Sequence, residues 1–238
     1  MATDESPVPD PVAFGGLTTA HVADALVRLG LPVRCAPPGI RPVLPGLRVA
    51  GPARPVRHSG SVDVFLEALQ LARPGEVLVV DNGGRHDEAC VGDLVALEVA
   101  RAGLAAIVIW GLHRDTAELR EIGLPVFSGG SLPTGPLRLD AQEPDALVSA
   151  RLGAHRVTVD DLVLADDDGV VLVPRAAADE VALVAAGIRD TERAQAERMR
   201  GGTSLREQTR FDAYLPDRAA TGLTFRQHLR RLGGAIEE

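Results

Sequence analysis

The chain has 238 residues and a formal net charge of -8, with 25 basic residues spread among 33 acidic ones. That balance disfavours a nucleic-acid backbone as partner, because phosphate binding relies on clustered Lys and Arg, and no basic stripe is visible in the sequence. Hydrophobic residues make up 45% and charged ones 24%, a globular composition on a chain long enough to bury a sizeable core in one domain.

Residues 1–15, "MATDESPVPDPVAFG", read as an acidic, Pro-rich flexible leader without the basic start and apolar stretch of a secretory signal. No apolar run is long enough to span a bilayer. The cytoplasm is therefore the expected compartment. "LTTAHVADALVRLG" predicts a helix with Thr18 or Thr19 as N-cap, Val22, Ala25, Leu26 and Leu29 at helical spacing, and Gly30 as the stop. "LRVAGPARPVR" predicts a strand bent at Gly51-Pro52.

From there helix and strand patterns alternate. "SVDVFLEALQLA" predicts a helix capped by Ser61, "GEVLVVD" a buried strand, and "HDEACVGDLVALEVARAG" a helix. "LAAIVIW" predicts a second buried strand and "RDTAELREIG" a short helix. This alternation argues for an α/β fold with helical crossovers. After about residue 155, "HRVTVDDLVLADDDGVVLVP" has the grammar of short strands and a hairpin turned at Asp166–Gly169. The acidic turn lacks the spaced ligands and final Glu of a calcium loop. A long polar helix is predicted over about 176–200, then a Gly201-Gly202 break and a charged C-terminal extension, residues 206–238.

Cys35 and Cys90 have no neighbour at metal or redox spacing and read as reduced core thiols. His21, His58, His86, His155 and His228 likewise read as ordinary polar residues. Chemistry is more plausible where the two apolar strands end. "VLVVD" delivers Asp81 into Asn82-Gly83-Gly84, and "AIVIW" leads through Gly111 to Arg114-Asp115. Ligands in alternating α/β sheets bind at the carboxyl ends of strands, where loops can be shaped around them. An Arg-Asp pair before a helix also has a purely structural reading, with Asp115 complementing the helix dipole. Gly92-Asp93 interrupts an otherwise helical apolar pattern. If a new helix starts there, the free amides of Asp93, Leu94 and Val95 suit an anion; the alternative is a packing glycine beside a solvated aspartate.

Asp93, twenty intervening residues and Arg114-Asp115 together resemble the D-x20-R-D signature of the class II pyruvate aldolases typified by 4-hydroxy-4-methyl-2-oxoglutarate aldolase/oxaloacetate decarboxylase. The regulator of ribonuclease E activity shares their fold. "TTAHVADAL", "GPA", "PGEVLVVDNGG", "GLPVFSGG" and "ADDDGVVLVP" are similar to family blocks in family order, over roughly residues 16–205. The resemblance implies a single-domain α-β-β-α sandwich of the swivelling β/β/α type. It also implies a trimer or a dimer of trimers.

By the same resemblance Asp115 would bind Mg²⁺ or Mn²⁺, Arg114 would clamp the carboxylate of a 2-oxo acid, and Gly92, Leu94 and Val95 would hold that carboxylate through backbone amides. Asp93 would orient a water for proton transfer. Glu192, ten residues before Gly202, would complete a neighbouring subunit's site, in preference to Glu197. The implied reaction is cleavage of the C3–C4 bond of a 2-oxo acid, by retro-aldol chemistry or oxaloacetate decarboxylation, through a pyruvate enolate and without a Schiff-base lysine. Trp110 and His113 depart from the family pattern beside the expected pocket, where they would alter recognition of the rest of the substrate. The competing readings are a non-catalytic regulator that binds a ribonuclease or another protein, and a specialised lyase or hydratase with an altered substrate.

Overall fold

The computed structural model describes residues 14–232. The predicted leader lies mostly outside these residues, but Phe14 is within them and is buried beside Leu17. Helix α1, Thr19–Arg28, begins with a capping box: Thr18 accepts from the His21 amide while the His21 ring faces the Thr18 amide. Gly30, at φ 67°, ends the turn in the left-handed region, which glycine enters without a Cβ penalty.

The strands are β1 (Arg34–Cys35), β2 (Arg41–Pro42), β3 (Val49–Arg57), β4 (Val77–Asp81), β5 (Ala89–Val91), β6 (Ala106–Trp110), β7 (Leu112–His113), β8 (Val126–Ser128), β9 (Ala150–Leu152), β10 (His155–Val157), β11 (Asp161–Asp166) and β12 (Gly169–Pro174). Eight form one sheet in the order β1-β12-β11-β3-β4-β6-β8-β2. The β3-β4, β4-β6 and β6-β8 pairs are parallel, and β11-β12 is the predicted hairpin. The helices after α1 are α2 (Asp63–Leu71), α3 (Asp93–Arg101), α4 (Thr116–Ile122), α5 (Ala178–Arg200), α6 (Leu205–Gln208), α7 (Phe211–Thr221) and α8 (Phe225–Leu232).

Period-two alternation along the buried strands sends side chains into different layers. On β4, Leu78 and Val80 face α2, α3 and α4, whereas Val77 and Val79 enter an inner layer. On β11, Val163 and Ala165 join that inner layer, whereas Leu162 and Leu164 pack under α1 and α5. The sheet thus curls so that its two halves bury a shared apolar layer, with helices on both outer faces. This is the expected α-β-β-α sandwich.

Two local expectations are corrected. Residues 89–91 form strand β5 rather than the start of a helix, and α3 begins at Asp93. The pattern ahead of Gly92 was ambiguous because a run of three buried residues fits either period. Ser61 does not cap α2, whose N-cap is Val62; Asp63 instead accepts from the Val64 amide. The expected strand β3 is continuous through Gly51-Pro52 and changes partner there, pairing with β11 up to Pro52 and with β4 from Ala53. A Cβ on Gly51 would lie 2.3 Å from the Gly75 carbonyl oxygen, so close backbone approach explains that glycine.

Candidate functional site

Strand β6 ends at Trp110, and the chain passes through β7 into Arg114-Asp115 before α4. Asp115 is one of two non-glycine residues with positive φ among those described, at φ 58° and ψ 45°. Aspartate tolerates this left-handed conformation better than most residues, yet it remains uncommon. The turn aims the Asp115 carboxylate at the start of α3: its Oδ2 lies 3.4 Å from the Asp93 amide nitrogen and 3.4 Å from Arg114 Nε. The Arg114 amide donates to the Val91 carbonyl at 2.9 Å, tying the pair to β5.

Gly92 makes this approach possible. A Cβ there would lie 2.3 Å from Asp115 Oδ2 and 3.2 Å from Arg114 Nε. Its φ of -130° is open to any residue, so the glycine is required by space alone. The interruption read from the sequence is a true helix start. Two of its first-turn amides already face carboxylates, Asp93 that of Asp115 and Leu94 that of Asp93 at 2.8 Å. The helix terminus thus shows its preference for anions on the chain's own side chains.

A pocket of about 310 Å³ opens here, lined by Gly92, Asp93, Leu94, Val95 and Arg114 together with His58, Cys90 and Pro136. Arg114 and Asp115 are partly exposed, with side-chain accessibilities of 47% and 34%. Four residues that the resemblance assigns to a carboxylate, Gly92, Leu94, Val95 and Arg114, therefore line one cavity together with Asp93; Asp115 is not itself among the lining residues and touches the cavity through Gly92, Asp93 and Arg114. Burial, foremost, pushes the Cys90 thiol far above its ordinary range, so it is no nucleophile at neutral pH.

Other expected residues lie elsewhere in the chain. Trp110 shares the parity of Ala106 and Val108 and packs against the inner apolar layer, its indole over Gly84. Period two sends it to the face away from α3. His113 is buried, with Nδ1 2.6 Å from Ser128 Oγ and Nε2 3.0 Å from Thr116 Oγ1. It borders a separate pocket with Arg41, Arg120 and Ser131. By joining the end of β8 to the first residue of α4, it braces the turn that carries Arg114 and Asp115. Desolvation, with Arg120 nearby, holds its pKa below the ordinary imidazole value. Glu192 sits on α5, its Oε2 3.2 Å from His21 Nε2, and is absent from the residues lining the pocket of its own chain.

His58 has no sequence signature beyond that of an ordinary polar residue, yet it is part of the pocket wall. Its partners Asn82 and Arg138 are distant in sequence, so only the alternating strand pattern, which brings the ends of β3 and β4 together, hinted at their meeting.

A metal ion would find hard oxygen donors here. The described residues contain no group of three or more His, Cys, Asp or Glu side chains placed to share an ion. A cation that dehydrates reluctantly would fit a donor set of one carboxylate, that of Asp115, with water and ligand oxygens. The space left by Gly92 gives that carboxylate its seat.

The chain is 30% identical over 137 residues to a protein of Halalkalibacterium halodurans provisionally named a 4-hydroxy-4-methyl-2-oxoglutarate aldolase, covering 57% of this chain and 64% of the relative's length. A provisionally named aldolase of Burkholderia multivorans is 34% identical over 140 residues, 59% of this chain and 84% of the relative. Among solved structures, an uncharacterized protein from Pseudomonas syringae pv. tomato superposes with a TM-score of 0.74 at 28% identity, covering 85% of this chain and 98% of that one. Streptomyces coelicolor RraAS2, described as an unusual member of the RNase ES inhibitor RraA family, gives a TM-score of 0.65 at 30% identity, covering 80% and 96%. The model of the RraA-like family, described as Aldolase/RraA, matches residues 19–172, and this chain belongs to that family.

Proposed function

We propose that this chain is a divalent-metal-dependent lyase that cleaves the C3–C4 bond of a 2-oxo acid, by retro-aldol cleavage of a 4-hydroxy-2-oxo acid, decarboxylation of oxaloacetate, or both. The observation that carries this reading is the meeting of Arg114, Asp115 and the α3 N-terminus at one pocket. Arg114 presents a planar fork suited to a carboxylate, and the α3 N-terminus adds its positive dipole and the Val95 amide, since the Asp93 and Leu94 amides face the chain's own carboxylates. Asp115 would hold Mg²⁺ or Mn²⁺, which would supply Lewis acidity to the 2-oxo group. Negative charge that develops on the pyruvate half during bond cleavage then falls beside the Arg114 guanidinium, in a pocket pre-organised to receive it. Asp93 orients the water that exchanges protons with the product.

An oligomer completes this picture. Leu94 and Leu97 on α3 are 75% and 50% exposed, and Leu137, beside the pocket residue Pro136, is 86% exposed. Apolar surface at a pocket rim is a common mark of an interface. In a trimer or a dimer of trimers a neighbouring subunit covers this rim and delivers Glu192, which its own chain leaves half-exposed. Among the described residues no helix is long and apolar enough to cross a membrane.

Pyruvate release from oxaloacetate and from 4-hydroxy-4-methyl-2-oxoglutarate, with Mg²⁺ and then with EDTA, tests the proposal. Metal-dependent pyruvate supports it. A protein silent toward both substrates that captures a ribonuclease would make it a regulator instead.

A further inference from the structure

His58 follows the last residue of β3 and shares the pocket with Arg114 and Asp93. Its ring stacks parallel on Phe65, centroids 5.2 Å apart with 2° between planes, so its orientation is fixed by packing. Its Nδ1 lies 2.9 Å from Asn82 Oδ1, and the same oxygen receives Arg138 NH2 at 3.0 Å. Arginine only donates, so that Asn82 atom is the acceptor and His58 Nδ1 must carry a hydrogen. Arg138 is itself held by buried Glu88 at 3.0 Å and by the His58 carbonyl at 3.1 Å. A neutral ring then has its lone pair on Nε2, an atom for which no partner is found among the described residues.

We propose that His58 is the general base of retro-aldol cleavage, its Nε2 taking the proton from the C4 hydroxyl of a 4-hydroxy-2-oxo acid whose carboxylate is clamped by Arg114. This rests on the lyase reading above and names the residue that would read the acceptor half of the substrate. As the O–H bond breaks its electron pair forms the C4 carbonyl, the C3–C4 pair moves into a C2–C3 double bond, and the C2 carbonyl π pair moves onto its oxygen, giving the pyruvate enolate. C3 later takes up one proton and the imidazolium gives one up, so the balance closes. Decarboxylation of oxaloacetate breaks a C–C bond with no hydroxyl proton to remove, and it has no need of this base.

The surroundings keep the imidazole neutral. Burial is the largest influence lowering its pKa, and Arg138 adds to it, against the Asn82 hydrogen bond and the charges of Glu88 and Asp63. Arg114 and Asp93 are the other charged residues on the pocket wall.

His58→Asn tests the assignment, because an Asn amide can replace the Nδ1 donor to Asn82 but offers no base at the Nε2 position. A positioned general base contributes on the order of a hundredfold or more, so the ratio of retro-aldol to decarboxylation kcat should fall by about that factor. An unchanged ratio, whether both rates persist or both fall together, overturns the proposal. If the variant does not fold, the wild-type pH profile decides: retro-aldol kcat/KM should show an acid limb below the ordinary imidazole range that decarboxylation lacks, and identical profiles overturn it. Wild-type protein inert toward both substrates removes the lyase reading itself. That outcome is distinct from an active wild type whose ratio is insensitive to His58.

Discussion

The Asp115 carboxylate occupies the place where a side chain on Gly92 would begin, with Oδ2 2.3 Å from the position of a Cβ there. The left-handed turn at one end of the pair and the missing side chain at the other are two halves of one device. Gly92→Ala should therefore fold, since φ -130° suits alanine, but the carboxylate must move. A loss of about tenfold or more in kcat/KM is expected, equivalent to roughly 1.4 kcal/mol or more of transition-state stabilisation. Kinetics beside a thermal melt check this, and unchanged kinetics would mean the contact has no part in function.

Asp115 combines a conformational and a chemical role, and substitutions separate them. Asn accepts the left-handed region, so Asp115→Asn should melt close to wild type while losing metal-dependent turnover. Asp115→Ala should lose the same activity and about 1 kcal/mol of stability as well, because alanine is strained at φ 58°. Denaturant unfolding with activity assays on both variants measures the two effects.

Glu192 can be placed by complementation. Arg114→Ala and Glu192→Ala proteins should each be inactive, and co-refolding them in equal amounts should restore about a quarter of wild-type activity if each site draws on two subunits of a closed ring. No recovery, or an active Glu192→Ala protein, would place the site within one chain.

His113 links stability to pH. Its pKa in the folded protein lies below the ordinary value of about 6.5, so the unfolded chain binds more protons over the interval between the two. Its contribution is intact above that ordinary value and is lost as pH falls through the interval. Melting temperature should drop from neutral pH toward pH 5, and His113→Asn should flatten the drop. His58 shifts in the same direction and leaves a residual slope. A slope identical in the variant would show that His113 has no share in it.

Much of this molecule was legible in its residues. Alternating helix and strand periods mark the parallel half of the sheet, Thr18 and Gly30 bracket α1, and the polar stretch after the second buried strand leads to the pocket through Arg114, whereas Asp81 at the end of the first accepts from the Gly83 and Arg151 amides and lines no part of it. The helix-breaking pair Gly92-Asp93 signalled a boundary, but whether strand or helix preceded it depended on the pairing of β5 with β7, a contact between distant residues. Trp110 shows what strand parity adds: counting by twos from Ala106 assigns its side chain to the inner layer, whereas nearness in sequence to Arg114 suggested the pocket. His58 was hidden because its meaning lies in Asn82 and Arg138, which reach it only through the fold.

Coupling pyruvate release to lactate dehydrogenase, with oxaloacetate or 4-hydroxy-4-methyl-2-oxoglutarate as substrate, decides whether this chain is a metal-dependent lyase. Turnover that requires Mg²⁺ or Mn²⁺, stops with EDTA and is lost in Asp115→Asn is the predicted result. Turnover that survives both EDTA and Asp115→Asn would contradict it.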